Sequence, residues 1–161
     1  MNDLAPDTYA ATKFLQRWAQ QGTWVLTALD PDRGFIRTKG FGPGTLPACR
    51  QWIQYWQTCE SPRNIYFQVN LDRRPLDEID KKSRKEHIAA VVALHADIDA
   101  YKDGEDVEAG RQRVLKMLTD ELPPGVPGPP SVINSSGNGF NCLWRLCEPI
   151  ILDGDVAKAV E

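Results

Sequence analysis

The spacing of apolar and polar positions along the chain predicts three helices separated by strands. Apolar residues recur every three or four positions in three stretches, which is typical of amphipathic helices. Shorter runs that are rich in β-branched and aromatic residues, or that alternate apolar with polar positions, predict strands. The predicted elements are a helix over 8–20, strands over 24–29 and 34–38, a helix over 45–58, strands over 64–70 and 91–99, a helix over 105–122 and a hairpin over 131–146.

This order of elements predicts an α+β fold with a mixed, mostly antiparallel sheet and flanking helices. A chain of 161 residues is long enough for one hydrophobic core, so we expect a single domain over 1–161. Within it, 1–60 forms an N-terminal α/β part and 61–161 carries the chemical motifs. The strand over 91–99 is expected to pair beside the hairpin over 131–146.

Composition narrows the class of protein without indicating an activity. Apolar residues make up 42% and charged residues 25% of the chain, which is typical of a soluble globular protein. The net charge of −3 excludes a global basic signature, so binding to nucleic acid would need a local basic surface. The N-terminus is acidic and polar, and no apolar run approaches the roughly 20 residues that span a bilayer. We therefore expect a cytoplasmic protein with no membrane partner, whose four cysteines lack zinc-site spacing and are reduced.

The strand over 91–99 ends in two carboxylates and is the clearest chemical feature of the sequence. It reads Val-Val-Ala-Leu-His-Ala-Asp-Ile-Asp. Because side chains of a strand alternate between faces, Asp97 and Asp99 share one side. His95 lies on that side as well, and Ile98 lies on the other. Two close like charges are stabilised by a divalent cation between them, so the pair predicts a metal site. The alternative for the acid pair is a strand that runs out into an acidic, solvated loop. His95 is either a hydrogen-bond partner of one of the metal-binding aspartates or a structural histidine.

A tight turn, Ser136-Gly-Asn-Gly139, in the predicted hairpin exposes backbone N–H groups, and such a turn binds anions. Metal-binding carboxylates beside a phosphate cradle are what nucleotidyl transfer requires, because the cations activate the 3′-hydroxyl and bridge the triphosphate. Either motif alone is common in proteins. Their order along the chain, separated by one helix and a proline-rich connector, is more specific.

Two other stretches allow more than one interpretation. The helix over 45–58 carries Trp52 and Trp56 on one face, and this stripe is expected to be core rather than a base-stacking platform. The segment over 72–87 is strongly charged, and its basic residues outnumber the acidic ones. It is either a solvated loop or a basic lip that guides a nucleic-acid backbone.

The motifs resemble those of the archaeo-eukaryotic primase superfamily, and most closely its RepB-like primases and primase-polymerases of plasmids and phages. The resemblance covers roughly residues 60–150. It implies an RRM-like primase-polymerase catalytic core, here truncated at the C-terminus. The matching segments are Asn64–Asn70, Ala93–Asp99, Pro130–Trp144 and Glu148-Pro149.

The resemblance implies a nucleotidyltransferase of DNA replication, a DNA primase or DNA polymerase. Such an enzyme joins an NTP or dNTP to a 3′-hydroxyl on a single-stranded or primed DNA template. It uses Mg²⁺ or Mn²⁺, with Asp97 and Asp99 as the catalytic and metal-binding acids. The family's second motif, Ser-Gly-x-Gly-x-His, contacts the phosphates of the incoming nucleotide. The nucleotide-binding counterparts here are Ser136, Gly137, Asn138, Gly139 and Asn141.

The sequence departs from the family pattern at two places. Asn141 stands where the family has histidine, and its amide can donate a hydrogen bond but carries no positive charge. The family's third acid is not evident, since Asp153 and Asp155 flank a glycine in a predicted turn. We therefore expect either a piece of a longer protein, with a helicase or other domains beyond Glu161, or a chain with an incomplete site.

Several functions stay open at this point. The leading one is an active primase or primase-polymerase, and the alternative is a catalytically inactive or incomplete module of the same fold that binds nucleotide or single-stranded DNA. A metal-dependent glycosyltransferase is a third, because Asp-x-Asp also serves sugar nucleotides, but it leaves the hairpin without a role. Arg145, on the strand after the turn, is expected either to contact a nucleotide phosphate or to be an ordinary surface charge.

Overall fold

A computed structural model of the chain describes residues 7–20, 22–30, 32–100, 106–135 and 139–152. Its helices and antiparallel sheets confirm the predicted α+β class. None of the helices in this described part has the length and apolar character needed to cross a bilayer. The elements are α1 (Thr8–Trp18), β1 (Trp24–Asp30), β2 (Phe35–Phe41), α2 (Leu46–Thr58), β3 (Asn64–Phe67), β4 (Leu71–Asp72), β5 (Ile88–Asp99), α3 (Val107–Thr119), β6 (Val132–Ser135) and β7 (Gly139–Ile151), with 3₁₀ turns at Pro43–Thr45, Leu76–Glu78 and Lys85–His87.

The chain divides into two compact units. The first unit comprises Met1–Val91 together with Ile151–Glu161, and the second comprises Val92–Ile150. The boundary between the two units falls inside β5. Each unit is described separately below.

The first unit is built on a three-stranded antiparallel sheet with the order β2-β1-β3. β1 and β2 form a hairpin whose register runs from Trp24 opposite Phe41 to Asp30 opposite Phe35. Gly34 closes the turn with a φ of +63°, a backbone conformation that favours glycine. The first five residues of β1 are all buried, as expected of a central strand that is covered on both faces.

Helices α1 and α2 of the first unit form from amphipathic stretches, as predicted. The carboxylate of Asp7 caps α1 by accepting a hydrogen bond from the Ala10 amide at 2.9 Å. The buried Trp18 at the end of α1 donates its indole N–H to the Val69 carbonyl at 3.0 Å. Cys49 and Ile53 are the buried positions of α2. This burial confirms that α2 turns one face toward the core.

The second unit contains the acidic end of β5, helix α3 and the hairpin β6–β7. β7 lies between β5 and β6 in the sheet, which confirms the predicted pairing of the acidic strand beside the hairpin. β6 and β7 pair in antiparallel register, with Val132 opposite Leu143 and Ser135 opposite Phe140. The core of this unit consists of Ala100, Val114, Leu118, Phe140 and Cys142.

Several strand boundaries differ from the sequence prediction, among them the end of β2, which lies at Phe41 rather than at residue 38. β3 ends at Phe67, three residues early, because the backbone bends at the following residues. β5 begins at Ile88, three residues before the predicted start, because β4 provides a pairing partner there. β7 continues to Ile151, and the next residue, Leu152, still donates its amide to the Ala89 carbonyl at 2.9 Å.

A buried ion pair organises the charged segment over 72–87. Arg74 donates to both carboxylate oxygens of Asp72, at 3.0 Å from Nε and 2.9 Å from Nη2. The Ser83 hydroxyl donates to the same carboxylate, which is fully buried. Arg74 also donates to the carbonyl of Lys81. The segment is therefore a tethered loop with exposed cations, not a wholly solvated one.

The pKa of Asp72 makes this tether dependent on pH. Burial by itself raises that pKa, but the hydrogen bonds from Arg74 and Ser83 outweigh burial and lower it from 3.8 to about 2. The folded state therefore binds this proton less tightly than the unfolded chain does. The resulting stabilisation, about 2 kcal/mol, is present above about pH 4 and is lost as the pH falls toward 2.

We expect wild-type protein to lose about 2 kcal/mol more stability between pH 5 and pH 2 than the Asp72→Asn variant, which lacks the titrating carboxyl. Urea unfolding at a series of pH values measures this difference. Asp77→Asn removes an exposed carboxylate from the same segment and should keep the wild-type pH dependence. Parallel pH profiles for wild type and Asp72→Asn would show that the buried pair has no such role.

Candidate metal and nucleotide site

Asp97 and Asp99 lie at the end of β5 with both side chains exposed. Ile98, between them, is half-buried and packs against the core of the second unit. Side chains of a strand alternate between faces, so the two carboxylates share the face opposite Ile98. The predicted strand through Asp99 is confirmed, and its burial alternates over these three residues. His95 is exposed and belongs to the same face by the same alternation.

Helix α3 closes the other face of these strands. Val114 and Leu118 of α3 are each 2% exposed, and they belong to one hydrophobic cluster with Phe140 and Cys142 of β7. This apolar packing fixes which side of β5 is dry. The carboxylates therefore lie on the solvent-exposed face of a strand whose other face packs against the core.

The end of the hairpin lies against the acidic end of β5. Gly139, the first residue of β7, packs so closely on the β5 backbone that an added Cβ would lie 2.2 Å from the Ile98 carbonyl oxygen and 3.2 Å from the Asp99 Cα. Only a residue without a side chain can occupy this position without a backbone shift. The structure therefore brings Gly139, Asp97 and Asp99 together at one place in the second unit.

Asn141 follows two positions later on β7 and is half-buried. It stands directly opposite Asn134 in the β6–β7 register. By strand alternation, Asn141 shares the face of Gly139, whereas Phe140 and Cys142 face the core. The two facing amides offer hydrogen-bond donors and acceptors but no net charge.

Of the other predicted nucleotide-binding residues, the structure describes Arg145 alone. Ser136, Gly137 and Asn138 lie outside the described residues. Arg145 is exposed and lies six positions along β7 from Gly139, a distance of about 20 Å in a strand. Arg145 therefore does not adjoin the end of the hairpin, and its backbone amide is bonded to the Ser131 hydroxyl at 3.0 Å.

The charge of Asp97 on β5 affects the Cys142 thiol on the neighbouring strand β7. Burial raises the pKa of the Cys142 thiol, and the negative charge of Asp97 raises it further. This places the Asp97 carboxylate within electrostatic reach of β7. Both effects favour the protonated form of the Cys142 thiol.

The donor set of the acid pair fits a hard divalent cation. Carboxylate oxygens are the ligands of Mg²⁺ and Mn²⁺. Within the described ranges, no three His, Cys, Asp or Glu side chains come together. Mg²⁺ is commonly held by one or two protein carboxylates together with waters and substrate phosphates. Asp97 and Asp99 could therefore hold a cation in that manner.

An arginine that the sequence did not single out holds the end of the hairpin next to its turn. Arg111 of α3 donates to the Ser135 hydroxyl at 2.9 Å, and its guanidinium lies 4.8 Å from the centre of the Phe140 ring. Ser135 and Phe140 are cross-strand partners at the end of the hairpin. Arg111 and Ser135 are 24 positions apart, so no local pattern signals this contact.

We expect Gly139→Ala to destabilise the protein by about 1–3 kcal/mol, because the atoms that the new Cβ would meet belong to the β5 backbone. Chemical denaturation measures this loss. Gly128→Ala, in the same unit, is the matched control, since a Cβ there meets nothing within 4 Å. The control should change stability by no more than about 0.5 kcal/mol. Equal stability of the two variants would contradict the close approach.

No protein-family model, curated protein or solved structure matches this chain. The resemblance to the primases therefore stays a prediction that the motifs alone carry. What can be said of function depends on the residues of this chain and on how they are arranged.

Proposed function

We propose that the chain is a nucleotidyltransferase domain of the primase or primase-polymerase class, with an RRM-like core, which adds an NTP or dNTP to a 3′-hydroxyl on a DNA template. The observation that carries this proposal is the contact of Gly139 with the backbone of Ile98 and Asp99. It joins the end of the proposed phosphate-binding hairpin to a pair of exposed carboxylates. Nucleotidyl transfer needs both features at one place.

The roles follow from the chemistry of the side chains. Asp97 and Asp99 would hold Mg²⁺ or Mn²⁺, and a bound cation neutralises phosphate charge and makes the 3′-hydroxyl a better nucleophile. The Asn141 amide can donate to a phosphate oxygen from the face that it shares with Gly139. Arg111 holds the end of the hairpin next to its turn through contacts with Ser135 and Phe140.

A second candidate is a module of the same class that binds nucleotide or single-stranded DNA without turnover. The observation that favours it is Asn141, which faces another neutral amide, Asn134. A neutral amide offers a phosphate one hydrogen bond and no charge, whereas a charged donor roughly doubles the strength of such a bond. Binding would then be retained while the charge that develops during transfer is poorly stabilised.

We expect the double variant Asp97→Asn/Asp99→Asn to lose at least about 100-fold in Mn²⁺-dependent primer extension, since weakening the partners of metal ligands already costs 10–100-fold. A Mn²⁺ titration followed by electron paramagnetic resonance should show weakened cation binding in the same variant. Asp77→Asn, an exposed acid of the first unit, is the control and should behave as wild type. Undiminished extension by the double variant would rule out the acid pair as the catalytic site.

We expect Asn141→His to raise primer extension by about 10-fold, because a protonated imidazole adds charge to the phosphate contact. The gain should be larger at pH 6 than at pH 8, where the imidazole is neutral. Single-turnover extension at both pH values measures it, with nucleotide affinity measured in parallel. A wild-type chain that binds nucleotide, forms no product and is not activated by this change would favour the binding module.

A further inference from the structure

Aromatic and cationic side chains share one face of β2 in the first unit. The strand reads Phe-Ile-Arg-Thr-Lys-Gly-Phe, so Phe35, Arg37, Lys39 and Phe41 share one side. The two rings stand at the ends of this face and the two cations in the middle. β2 is the first strand in the β2-β1-β3 order and therefore an edge of its sheet.

Helix α2 adds two indole rings to the same face. Trp52 and Trp56 are four positions apart, which places them one above the other on the helix. Trp52 lies 5.8 Å from Phe41, Trp56 lies 5.0 Å from Phe35, and the two indoles lie 6.2 Å apart, all between ring centres. An unbroken path of rings thus connects the two ends of the strand face.

The two cations are held against these rings. The Arg37 guanidinium lies 5.0 Å from the centre of the Phe35 ring, and Lys39 Nζ lies 5.6 Å from that of Phe41. Both side chains are exposed, and neither forms an ion pair with a carboxylate of the described residues. A ring beneath a cation attracts it without cancelling its charge. Arg37 and Lys39 are therefore positioned and still electrostatically available.

Two neighbouring arginines, Arg33 and Arg63, differ from Arg37 and Lys39 because they lie close to a carboxylate. Arg63 is paired with Asp30 at 3.0 Å, and Arg33 lies 4.0 Å from the same carboxylate. Asp30 is thus occupied by these two cations. The surplus positive charge at this face comes from Arg37 and Lys39, in a chain whose total charge is −3.

The aromatic part of this face includes one ring that is mostly exposed to solvent. Tyr55 of α2 is 60% exposed, and its ring centre lies 4.8 Å from that of Trp56. The indole Nε1 of Trp56 is buried and has no hydrogen-bond acceptor among the described residues. The buried Nε1 is out of reach of a ligand, so the surface that this part of the face offers for stacking is the exposed Tyr55 ring.

We propose that this face, the β2–α2 strip, binds single-stranded nucleic acid. The strip is defined by Phe35, Arg37, Lys39, Tyr55 and Trp56. Proteins that bind single strands combine cations that track the backbone with aromatic rings on which bases stack. Arg37 and Lys39 are about 7 Å apart along the strand, so they can meet successive phosphates of an extended chain. An acidic peptide would be attracted by the same cations but offers no bases to stack on Tyr55.

The strip would hold the template of the proposed nucleotidyltransferase, and the identity of the partner rests on that proposed function. The strip belongs to the first unit and the acid pair to the second, so each can be altered by itself. Binding of a single strand needs no metal ion and no nucleotide. The two proposals can therefore fail separately.

The experiment measures binding of the full chain to a fluorescently labelled 20-nucleotide oligo-dT by anisotropy, without metal or nucleotide, over a range of salt concentrations. We expect Arg37→Gln/Lys39→Gln to lower the affinity at least about 10-fold and to reduce the slope of log affinity against log salt by about 1.4, since each phosphate contact contributes about 0.7. Arg37→Lys retains the charge and should keep the wild-type slope. Tyr55→Leu should lower the affinity about 5- to 150-fold and leave the slope unchanged.

The controls separate this strip from other basic surfaces and from the acid pair. Lys81→Gln/Lys82→Gln removes two exposed cations from the segment over 72–87 and should leave the affinity within about 2-fold of wild type. Loss of binding in that variant, with binding retained in Arg37→Gln/Lys39→Gln, would overturn the proposal. So would absence of oligo-dT binding, or equally tight binding of duplex DNA or poly-glutamate. Asp97→Asn/Asp99→Asn should bind oligo-dT as wild type does, while primer extension tests the acid pair independently.

Discussion

The close approach of β7 to β5 at Gly139 is the constraint on which the candidate site depends. Strand backbones meet there so tightly that a methyl group would lie 2.2 Å from the Ile98 carbonyl oxygen. The opposite faces of these strands are anchored by Phe140 and Cys142 in the core beneath α3. Ile98 of β5 packs against this core. Because side chains alternate along a strand, the carboxylates of Asp97 and Asp99 therefore lie on the exposed face. Packing on one side thus determines the chemistry available on the other.

A cation site and a polyanion site place opposite demands on the charges around them. Exposed carboxylates such as Asp97 and Asp99 attract metal ions and repel a phosphate backbone. A chain with a net charge of −3 can hold nucleic acid only where cations are concentrated and not cancelled. In the first unit, one pair of cations is neutralised by a carboxylate and a second pair is not. Asp30 engages Arg33 and Arg63, whereas Arg37 and Lys39 rest on phenylalanine rings, which position a cation and leave its charge intact.

Local periodicity explains what could be predicted from the sequence. The element order and the shared face of Asp97 and Asp99 depend on spacings of two to four residues, which are readable along the chain. The buried position of Asp72 could not be predicted in this way. Its partners are Arg74 and Ser83, and burial depends on how the intervening turn folds back. A count of charges over 72–87 therefore leaves both a solvated loop and a basic lip open. The contact of Arg111 with Ser135 has the same origin, because 24 residues separate two groups that only the packing of α3 brings together.

The tryptophan stripe of α2 shows why core and binding platform are not exclusive alternatives. Trp52 and Trp56 are only half-buried, although they pack against Phe41 and Phe35 as core residues do. Ile53 of α2 is buried. Because successive residues of a helix are about 100° apart, a residue two positions later lies on nearly the opposite side, which can face solvent. Tyr55 takes that position and is mostly exposed. The rings that stabilise the first unit therefore also form the floor under its unpaired cations, and a ligand there would use packing that the fold already requires.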